Sequence, residues 1–140
     1  MNMDNLTELI KAAIDMRKRS YAPYSRFRVG AAILTSDGQI FAGYNIENSA
    51  FGPSICAERC AVSKAVSEGH KDFEAIAIAG GASAGGLQYC PPCGVCRQVL
   101  SEFSGSDLTV ILAKSETDYK TYTLGELLPL SFGADNLDKN

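Results

Sequence analysis

The sequence is poor in three features that would point to particular classes of protein: long apolar runs, clusters of basic residues, and histidine. No apolar stretch approaches the ~20 residues that a membrane-spanning helix needs, so we expect no membrane partner. The first 20 residues carry Asp4, Glu8 and Asp15 on a helical apolar pattern and lack the apolar core of a secretory signal. We therefore expect a cytoplasmic protein.

The balance of charge argues against a polyanionic partner. The chain carries 13 Lys and Arg against 16 Asp and Glu, which gives a formal net charge of -3 at pH 7. Its densest group of basic residues is Lys11 with 17–19, and basic residues are typical of the solvated C-terminal end of a helix. Because phosphate contacts supply most nucleic-acid affinity and need a basic face, we expect no nucleic-acid partner.

The 140 residues fit a single domain, residues 1–140, of the α/β class. Apolar residues recur with helical spacing up to about Ser20, and Asp37-Gly38 predicts a tight hairpin turn with positive φ angles. Residues 80–92 are too weakly patterned for a helix and predict a loop, and the tail from Gly133 is expected to be loose. The remaining patterns predict strands at 28–34, 40–46, 73–79, 108–114 and about 120–122, and helices at about 56–68, 93–103 and 123–128. We expect one mixed sheet of about five strands with helices on both faces.

The five cysteines do not suggest disulfides, because their number is odd and the chain shows no export signal. The strongest chemical pattern is Cys56-Ala57-Glu58 followed later by Cys93-Gly94-Val95-Cys96. Three thiolates can bind zinc and leave its fourth position to water, and a nearby carboxylate suits a catalytic site. The only histidine, His70, follows a predicted helix end and is expected to be exposed, so the site should contain only sulfur ligands.

A zinc ion with three thiolates carries a net negative charge, so such a site needs positive potential around it. Cys56 and Cys93 each stand where a helix is predicted to begin, and unpaired backbone N–H groups there stabilise thiolates. Arg59 is the natural side-chain donor to a ligand sulfur and would compensate the thiolate charge.

Two further cysteines leave alternatives open. Cys60 lies one helical turn beyond Cys56 and could close the site with a fourth thiolate, although a structural thiol is the simpler interpretation. Cys90 forms a competing C-x-x-C pair with Cys93, which would fit a thioredoxin-like redox motif but leaves Glu58 unexplained. A zinc-stabilised binding module completed by Cys60 or Cys90 is a third possibility, and it has no use for Glu58 either.

Motifs along nearly the whole chain resemble those of the small homotetrameric cytidine deaminases. They are 23–32 (PYSRFRVGAA), 45–48 (NIEN), 56–59 (CAER), 92–98 (PCGVCRQ) and 127–132 (LLPLSF). The resemblance implies a three-layer α/β/α fold, one zinc ion per chain, a homotetramer, and hydrolysis of cytidine and 2′-deoxycytidine to uridine and 2′-deoxyuridine with release of ammonia in pyrimidine salvage.

The resemblance also implies a role for each site residue. Cys56, Cys93 and Cys96 would bind zinc, and Glu58 would move protons between the attacking water, the ring nitrogen and the leaving amine. The substrate-binding residues would be Asn45 and Glu47 at the ribose hydroxyls, Phe27 against the pyrimidine, Ala57 through its backbone N–H, and Phe132 from a neighbouring chain. Taken alone, Phe132 could equally pack in its own core beside Leu128 and Leu130.

Two other deaminase activities fit the zinc motifs. Blasticidin-type relatives act on a modified aminonucleoside, but Phe27 and the Asn45–Glu47 pair favour an ordinary nucleoside. A polynucleotide deaminase would need a basic surface for the strand, which this acidic chain lacks. The sequence departs from many relatives at Phe51, where they have Tyr, and at Gly133-Ala134, where they have Gly-Pro.

Overall fold

The computed structural model describes residues 2–137, and its centre is a mixed sheet with the strand order β2-β1-β3-β4-β5. β1 pairs antiparallel with both β2 and β3, β3 pairs parallel with β4, and β4 pairs antiparallel with β5. The elements in chain order are α1 (Met3–Arg17), β1 (Phe27–Thr35), β2 (Ile40–Tyr44), α2 (Ala57–Ser67), β3 (Phe73–Ala82), α3 (Gly94–Glu102), β4 (Thr109–Ala113), β5 (Tyr119–Thr123) and α4 (Leu124–Leu127). The predicted mixed sheet of five strands is confirmed.

The two faces of the sheet carry separate cores because successive side chains of a strand point to opposite sides. On β1, Ala31 and Ile33 pack in the core beneath α2 and α3, whereas Ala32 and Leu34 pack in the core beneath α1. The sequences of β1, β3 and β4 are therefore nearly continuous apolar runs, since both faces of these strands are covered. This arrangement confirms the three-layer α/β/α architecture.

Two glycines allow helices to approach the sheet closely. A Cβ atom on Gly30 would lie 2.0 Å from the carbonyl oxygen of Ala13, so α1 crosses β1 with no room for a side chain. A Cβ atom on Gly43 would lie 2.7 Å from the backbone nitrogen of Ala61 in α2. Both contacts fix the distance of a helix from the sheet, and the Gly43 contact does so for the helix that carries Glu58.

Helix ends follow the local sequence signals. α2 stops at a Schellman motif in which Gly69, with φ +92°, and His70 donate backbone hydrogen bonds to the carbonyls of Val66 and Ala65. α4 begins with the expected capping box, in which Thr123 and Glu126 exchange hydrogen bonds between side chain and backbone. None of the helices within residues 2–137 is long and apolar enough to cross a membrane.

Several boundaries differ from the sequence-based expectation. α1 ends at Arg17 rather than near Ser20. In the hairpin turn only Gly38 has a positive φ angle, because the Gly38 N–H donates to the Thr35 carbonyl in an ordinary turn that ends in a left-handed residue. β3 continues through 80–82, which was expected to be loop, because these residues pair with the start of β1.

The polar tail also has more structure than expected. A single 3₁₀ turn covers Ala134–Asn136, and the side chain of Asn136 accepts a hydrogen bond of 2.9 Å from the backbone of Gly133. The rest of the predicted loose tail, residues 138–140, lies outside the described residues.

Candidate metal centre and substrate cavity

Three cysteines from two helix entrances meet beside the sheet. The Sγ atoms of Cys56 and Cys93 lie 3.8 Å apart, those of Cys93 and Cys96 lie 3.4 Å apart, and all three lie within 4.8 Å of one another. They are the only group of metal-binding side chains of this kind within residues 2–137. The structure therefore brings together the three cysteines that the sequence motifs single out.

The spacing of these sulfur atoms fits zinc. With Zn–S bonds of ~2.3 Å and tetrahedral angles, two ligand sulfurs stand ~3.8 Å apart. The measured separations of 3.8 Å and 3.4 Å are close to that value. Three thiolates would supply three of the four ligands that zinc takes in proteins, so the donor set suits a catalytic site in which the fourth ligand is water. Cys56, Cys93 and Cys96 could hold the metal without moving their helices.

The positions of two helix N-termini stabilise the negative charge of the thiolates. Cys56 is the N-cap of α2 and Cys93 is the N-cap of α3, so two helix N-termini point their unpaired N–H groups at the sulfur cluster. The Nη2 atom of Arg59 lies 3.7 Å from Cys56 Sγ and donates to it. Both helices begin where the sequence predicts, and Arg59 lies beside the sulfur of Cys56.

Contacts within the cluster make the Cys56 thiol ionise more readily than the Cys96 thiol. The Cys96 thiol donates to Cys56 and lowers the pKa of Cys56 to about 5, burial opposes this effect, and Arg59 adds to it. The same hydrogen bond, together with burial, raises the pKa of Cys96, because a second thiolate beside the first is unfavourable. A divalent cation would remove that repulsion and let all three sulfurs ionise.

Glu58 is a buried carboxyl group in the first turn of α2, with only 5% of its surface exposed. Burial is the main cause that raises its pKa to about 7, and the neighbouring Cys56 thiolate adds to the rise. A carboxyl group whose pKa is near neutrality can both accept and release a proton. A buried carboxyl group next to Cys56 could therefore carry protons beside the sulfur cluster.

Glu58 and two of the sulfurs open into one cavity of about 320 Å³. The cavity is large enough for a small ligand and combines apolar walls with a few polar groups. Its walls include the predicted site residues Phe27, Asn45, Glu47, Cys56, Ala57, Glu58 and Cys93. Ser25, Val29, Cys90 and Pro91, for which no substrate contact was predicted, also line it. Cys96 is completely buried behind this surface.

Asn45 is fixed by hydrogen bonds before any ligand arrives. Its Nδ2 atom donates to the Phe27 carbonyl at 2.8 Å, and its Oδ1 atom accepts from the Val29 N–H at 2.9 Å and from the Ser20 hydroxyl. The side chain thus ties the region after β2 to the start of β1. One Nδ2 hydrogen is left for a ligand, because a side-chain amide has two donors.

Glu47 holds the loop that precedes β1. Its Oε1 atom accepts from the backbone N–H groups of Tyr24 at 2.9 Å and Ser25 at 3.0 Å, and its Oε2 atom accepts from the Ser25 hydroxyl. The Ser25 hydrogen bond is the main cause that lowers the pKa of Glu47, so the carboxylate is charged at neutral pH. This organising role was not apparent from sequence, since it depends on a loop 22 residues away.

The remaining cysteines and the histidine stand outside the sulfur cluster. Cys60 packs against Gly43, and Cys90 packs against Gly80 at the cavity wall. Burial raises the pKa of the Cys90 thiol to about 11, so that thiol is neutral at physiological pH. His70 is not the exposed loop residue expected, because its ring packs 5.0 Å from Phe41, its Nδ1 lies 3.3 Å from Asp37, and only 21% of its side chain is exposed.

Phe132 lies at the surface rather than in its own core. Phe132 has 60% of its surface exposed, and the nearby Leu130 is also exposed. The backbone of this segment is anchored by Gln98, whose Nε2 donates to the Phe132 carbonyl at 2.9 Å, and by Arg97, which donates to the carbonyls of Leu127 and Pro92. The segment is thus fastened to the helix that follows Cys93, while Phe132 itself remains largely exposed.

Comparison with known proteins agrees with this geometry. The family model of the cytidine and deoxycytidylate deaminase zinc-binding region matches residues 3–112. A cytidine deaminase of Halalkalibacterium halodurans is 46% identical over 93% of this chain and 96% of its own, and a probable cytidine deaminase of Dictyostelium discoideum is 42% identical over 98% and 90%. The crystal structure of cytidine deaminase from Burkholderia pseudomallei superposes with a TM-score of 0.80 at 42% identity and covers 89% of this chain and 97% of its own.

Proposed function

This chain belongs to the cytidine and deoxycytidylate deaminase zinc-binding family, and on that premise we propose that it deaminates free cytidine and 2′-deoxycytidine. The reaction adds water to the pyrimidine and releases ammonia, so the products are uridine and 2′-deoxyuridine. The single observation that carries this proposal is the cavity in which a buried carboxyl group, Glu58, adjoins two of the three clustered cysteine sulfurs.

The sulfur cluster and Glu58 divide the chemistry between them. When bound by Cys56, Cys93 and Cys96, zinc makes a water molecule acidic enough to act as a nucleophile near neutral pH. Glu58 accepts the proton that this water loses and passes protons to the ring nitrogen and to the leaving amine. Burial supports the role, because a carboxyl group with a pKa of about 7 holds and releases a proton at similar cost.

The other cavity residues orient the nucleoside. Phe27 offers an aromatic face for the pyrimidine, and Ala57, the first residue of α2, has a backbone N–H without a partner in its own helix. Asn45 and Glu47 are held rigidly by the contacts described above, so they would meet the ribose hydroxyls at little entropic cost. Arg59 would keep the Cys56 thiolate charge compensated during turnover.

We further propose that the working enzyme is a homotetramer in which Phe132 of one chain completes the cavity of another. A cavity formed by a domain of this size is open to solvent, and deamination benefits from excluding bulk water. The exposed ring of Phe132 on a firmly anchored backbone supports this arrangement. Tyr24 and Phe51, which are exposed beside Glu47, supply further apolar surface for a neighbouring chain.

Pyrimidine salvage in the cytoplasm is the role we propose for this activity. Five cysteines without a disulfide among them suit a reducing compartment, where thiolates remain available to zinc. An enzyme that acts on free nucleosides rather than on polymers would serve salvage. The formal net charge of -3 at pH 7 supports the choice of a small neutral substrate rather than a polyanion.

The substrate is identified by assaying zinc-loaded protein against a panel. Cytidine, 2′-deoxycytidine, cytosine, CMP and blasticidin S would be supplied separately, and loss of ultraviolet absorbance and release of ammonia would be followed. We expect turnover of the two nucleosides, because the free base lacks the sugar that Asn45 and Glu47 bind. Efficient turnover of blasticidin S with none of cytidine would assign the modified aminonucleoside instead.

A further inference from the structure

A second cavity of about 390 Å³ lies at the start of β1 and shares no residue with the substrate cavity. Arg26, Arg28, Ser20 and Ser83 contribute its polar groups. Side chains alternate along a strand, and Phe27 flanks the substrate cavity, so Arg28 belongs to the opposite face of β1. No carboxylate of residues 2–137 lines this second cavity.

Arg28 has a hydrogen-bond donor that the protein leaves without an acceptor. Its Nε atom is buried, and among residues 2–137 no partner accepts its hydrogen. Buried polar groups of folded proteins are nearly always paired, so a guanidinium donor of this kind points to a partner from outside the chain. Arg28 also has no ion pair with a described carboxylate, which leaves its charge uncompensated.

Arg26 is held in an uncommon backbone conformation at the same cavity. Its φ is +56°, a left-handed value that residues other than glycine rarely adopt. Two hydrogen bonds fix it there, since the Arg26 N–H donates to the Ala22 carbonyl at 3.1 Å and its carbonyl accepts from the Ser83 N–H at 2.7 Å. Strained conformations that persist in this way cluster at ligand sites. The guanidinium of Arg26 has no partner among the described residues.

The surroundings add positive potential. Arg17 lies next to the cavity and donates to the carbonyls of Arg28, Gly81 and Ala82, which are neutral acceptors and leave its charge in place. The Ser83 hydroxyl has no hydrogen bond within the described residues and is free to donate. The Ser20 hydroxyl, in contrast, donates to Asn45 and is already engaged.

We infer that this cavity is a binding site for a phosphate-type oxyanion, supplied either as inorganic phosphate or as a phosphate ester. Two guanidinium groups with fixed forks of donors, and a free hydroxyl, match the several acceptor oxygens of a tetrahedral dianion. A neutral ligand would leave the charges of Arg26 and Arg28 uncompensated. The site is separate from the substrate cavity, because none of its lining residues lines that cavity.

Isothermal titration calorimetry of the zinc-loaded protein tests this site. Inorganic phosphate and ribose 5-phosphate are titrated separately at low, constant ionic strength, with chloride as the blank. We expect saturable binding at one per chain, weakened about 10-fold or more in Arg28→Met, because hydrogen bonds to charged groups are worth that much. Arg19→Met is the matched control, since Arg19 is exposed and outside the cavity, and it should bind normally.

Two further variants distinguish loss of the ligand contact from loss of the fold. Arg28→Lys keeps the charge and loses the fork, so its affinity should fall between those of the parent protein and Arg28→Met. Arg26→Met alters an exposed side chain and should also weaken binding. Tighter binding of the ester than of phosphate would identify an ester as the ligand, and tighter binding of phosphate would identify the free ion. Absence of saturable binding, or equal affinity in the Arg26 and Arg28 variants and in Arg19→Met, would overturn the assignment.

Discussion

The sulfur atoms of Cys56 and Cys93 lie 3.8 Å apart although each residue caps a different helix. The pair can meet because α2 and α3 start at the same place on one face of the sheet. In a regular helix, residues two apart point in well-separated directions. Cys56 stands at the entrance of α2 rather than inside it, and this position lets Cys56 and Glu58 face one cavity.

The ligand set predicts which cysteines matter for zinc. Cys93→Ala or Cys96→Ala should lose both metal and activity, because two sulfurs cannot complete a stable site. Zinc per chain is measured by atomic emission after dialysis, and turnover is measured with cytidine. Cys60→Ala is the matched control and should keep both, and Cys90→Ala should keep its zinc. Full zinc occupancy in active Cys93→Ala would instead make Cys90 a ligand.

Arg59 is predicted to be a positioning residue that acts through the Cys56 thiolate. Arg59→Met removes the donor that lies 3.7 Å from Cys56 Sγ, so excess negative charge stays on the metal centre. Groups that hydrogen-bond to metal ligands typically contribute about 10–100-fold to affinity or activity. We expect kcat to fall by about that factor with a small change in KM, and Arg59→Lys to recover part of it. Unchanged kcat and unchanged zinc affinity in Arg59→Met would rule this role out.

Much of the fold was predictable because its signals are local. The apolar periods, the Gly69 stop of α2 and the Thr123–Glu126 capping box each lie within a few residues and were found from sequence. The extension of β3 to Ala82 was missed, because it depends on pairing with β1 rather than on its own weak pattern. The partly buried position of His70 was missed for the same reason, since Phe41 and Asp37 come from the neighbouring hairpin.

The candidate site was predictable to a different degree for each part. The three cysteines of the cluster could be recognised from their spacing, because cysteines at two helix starts leave a distinct motif. The contacts that hold Asn45 and Glu47 could not, since their partners lie at the start of β1 and in the loop before it, and become neighbours only through the fold. The unpaired guanidinium of Arg28 has no sequence signal at all.

Glu47 is predicted to bind the sugar more than it assists the chemistry. Glu47→Gln keeps an oxygen for the Tyr24 and Ser25 N–H groups but removes the charge that would strengthen hydrogen bonds to ribose. Loss of such a charged hydrogen bond costs about 1.5–3 kcal/mol, which corresponds to about a 10–100-fold rise in KM. Steady-state kinetics with cytidine should show this rise with kcat changed far less. A fall in kcat at constant KM would place Glu47 in the chemical step instead.

The proposed role of Phe132 between chains can be tested by complementation. Glu58→Gln and Phe132→Ala preparations should each be nearly inactive, and mixing them with subunit exchange should restore activity. At equal proportions, about a quarter of the sites would combine an intact Glu58 with an intact Phe132 from a neighbour. Native mass spectrometry verifies that mixed oligomers form. Mixed oligomers without any gain in activity, or a fully active monomer, would end the proposal.

The central claim is that Glu58 carries protons for a reaction at a three-thiolate zinc centre, and the turnover of Glu58→Gln tests it most directly. Cytidine deamination is measured for the parent protein and the variant, with zinc per chain and thermal stability measured on the same samples. We expect one zinc per chain and an intact fold in both, and a loss of about 100- to 10,000-fold in kcat, as removal of a general acid–base group produces. Near-normal turnover by zinc-loaded Glu58→Gln would contradict the account.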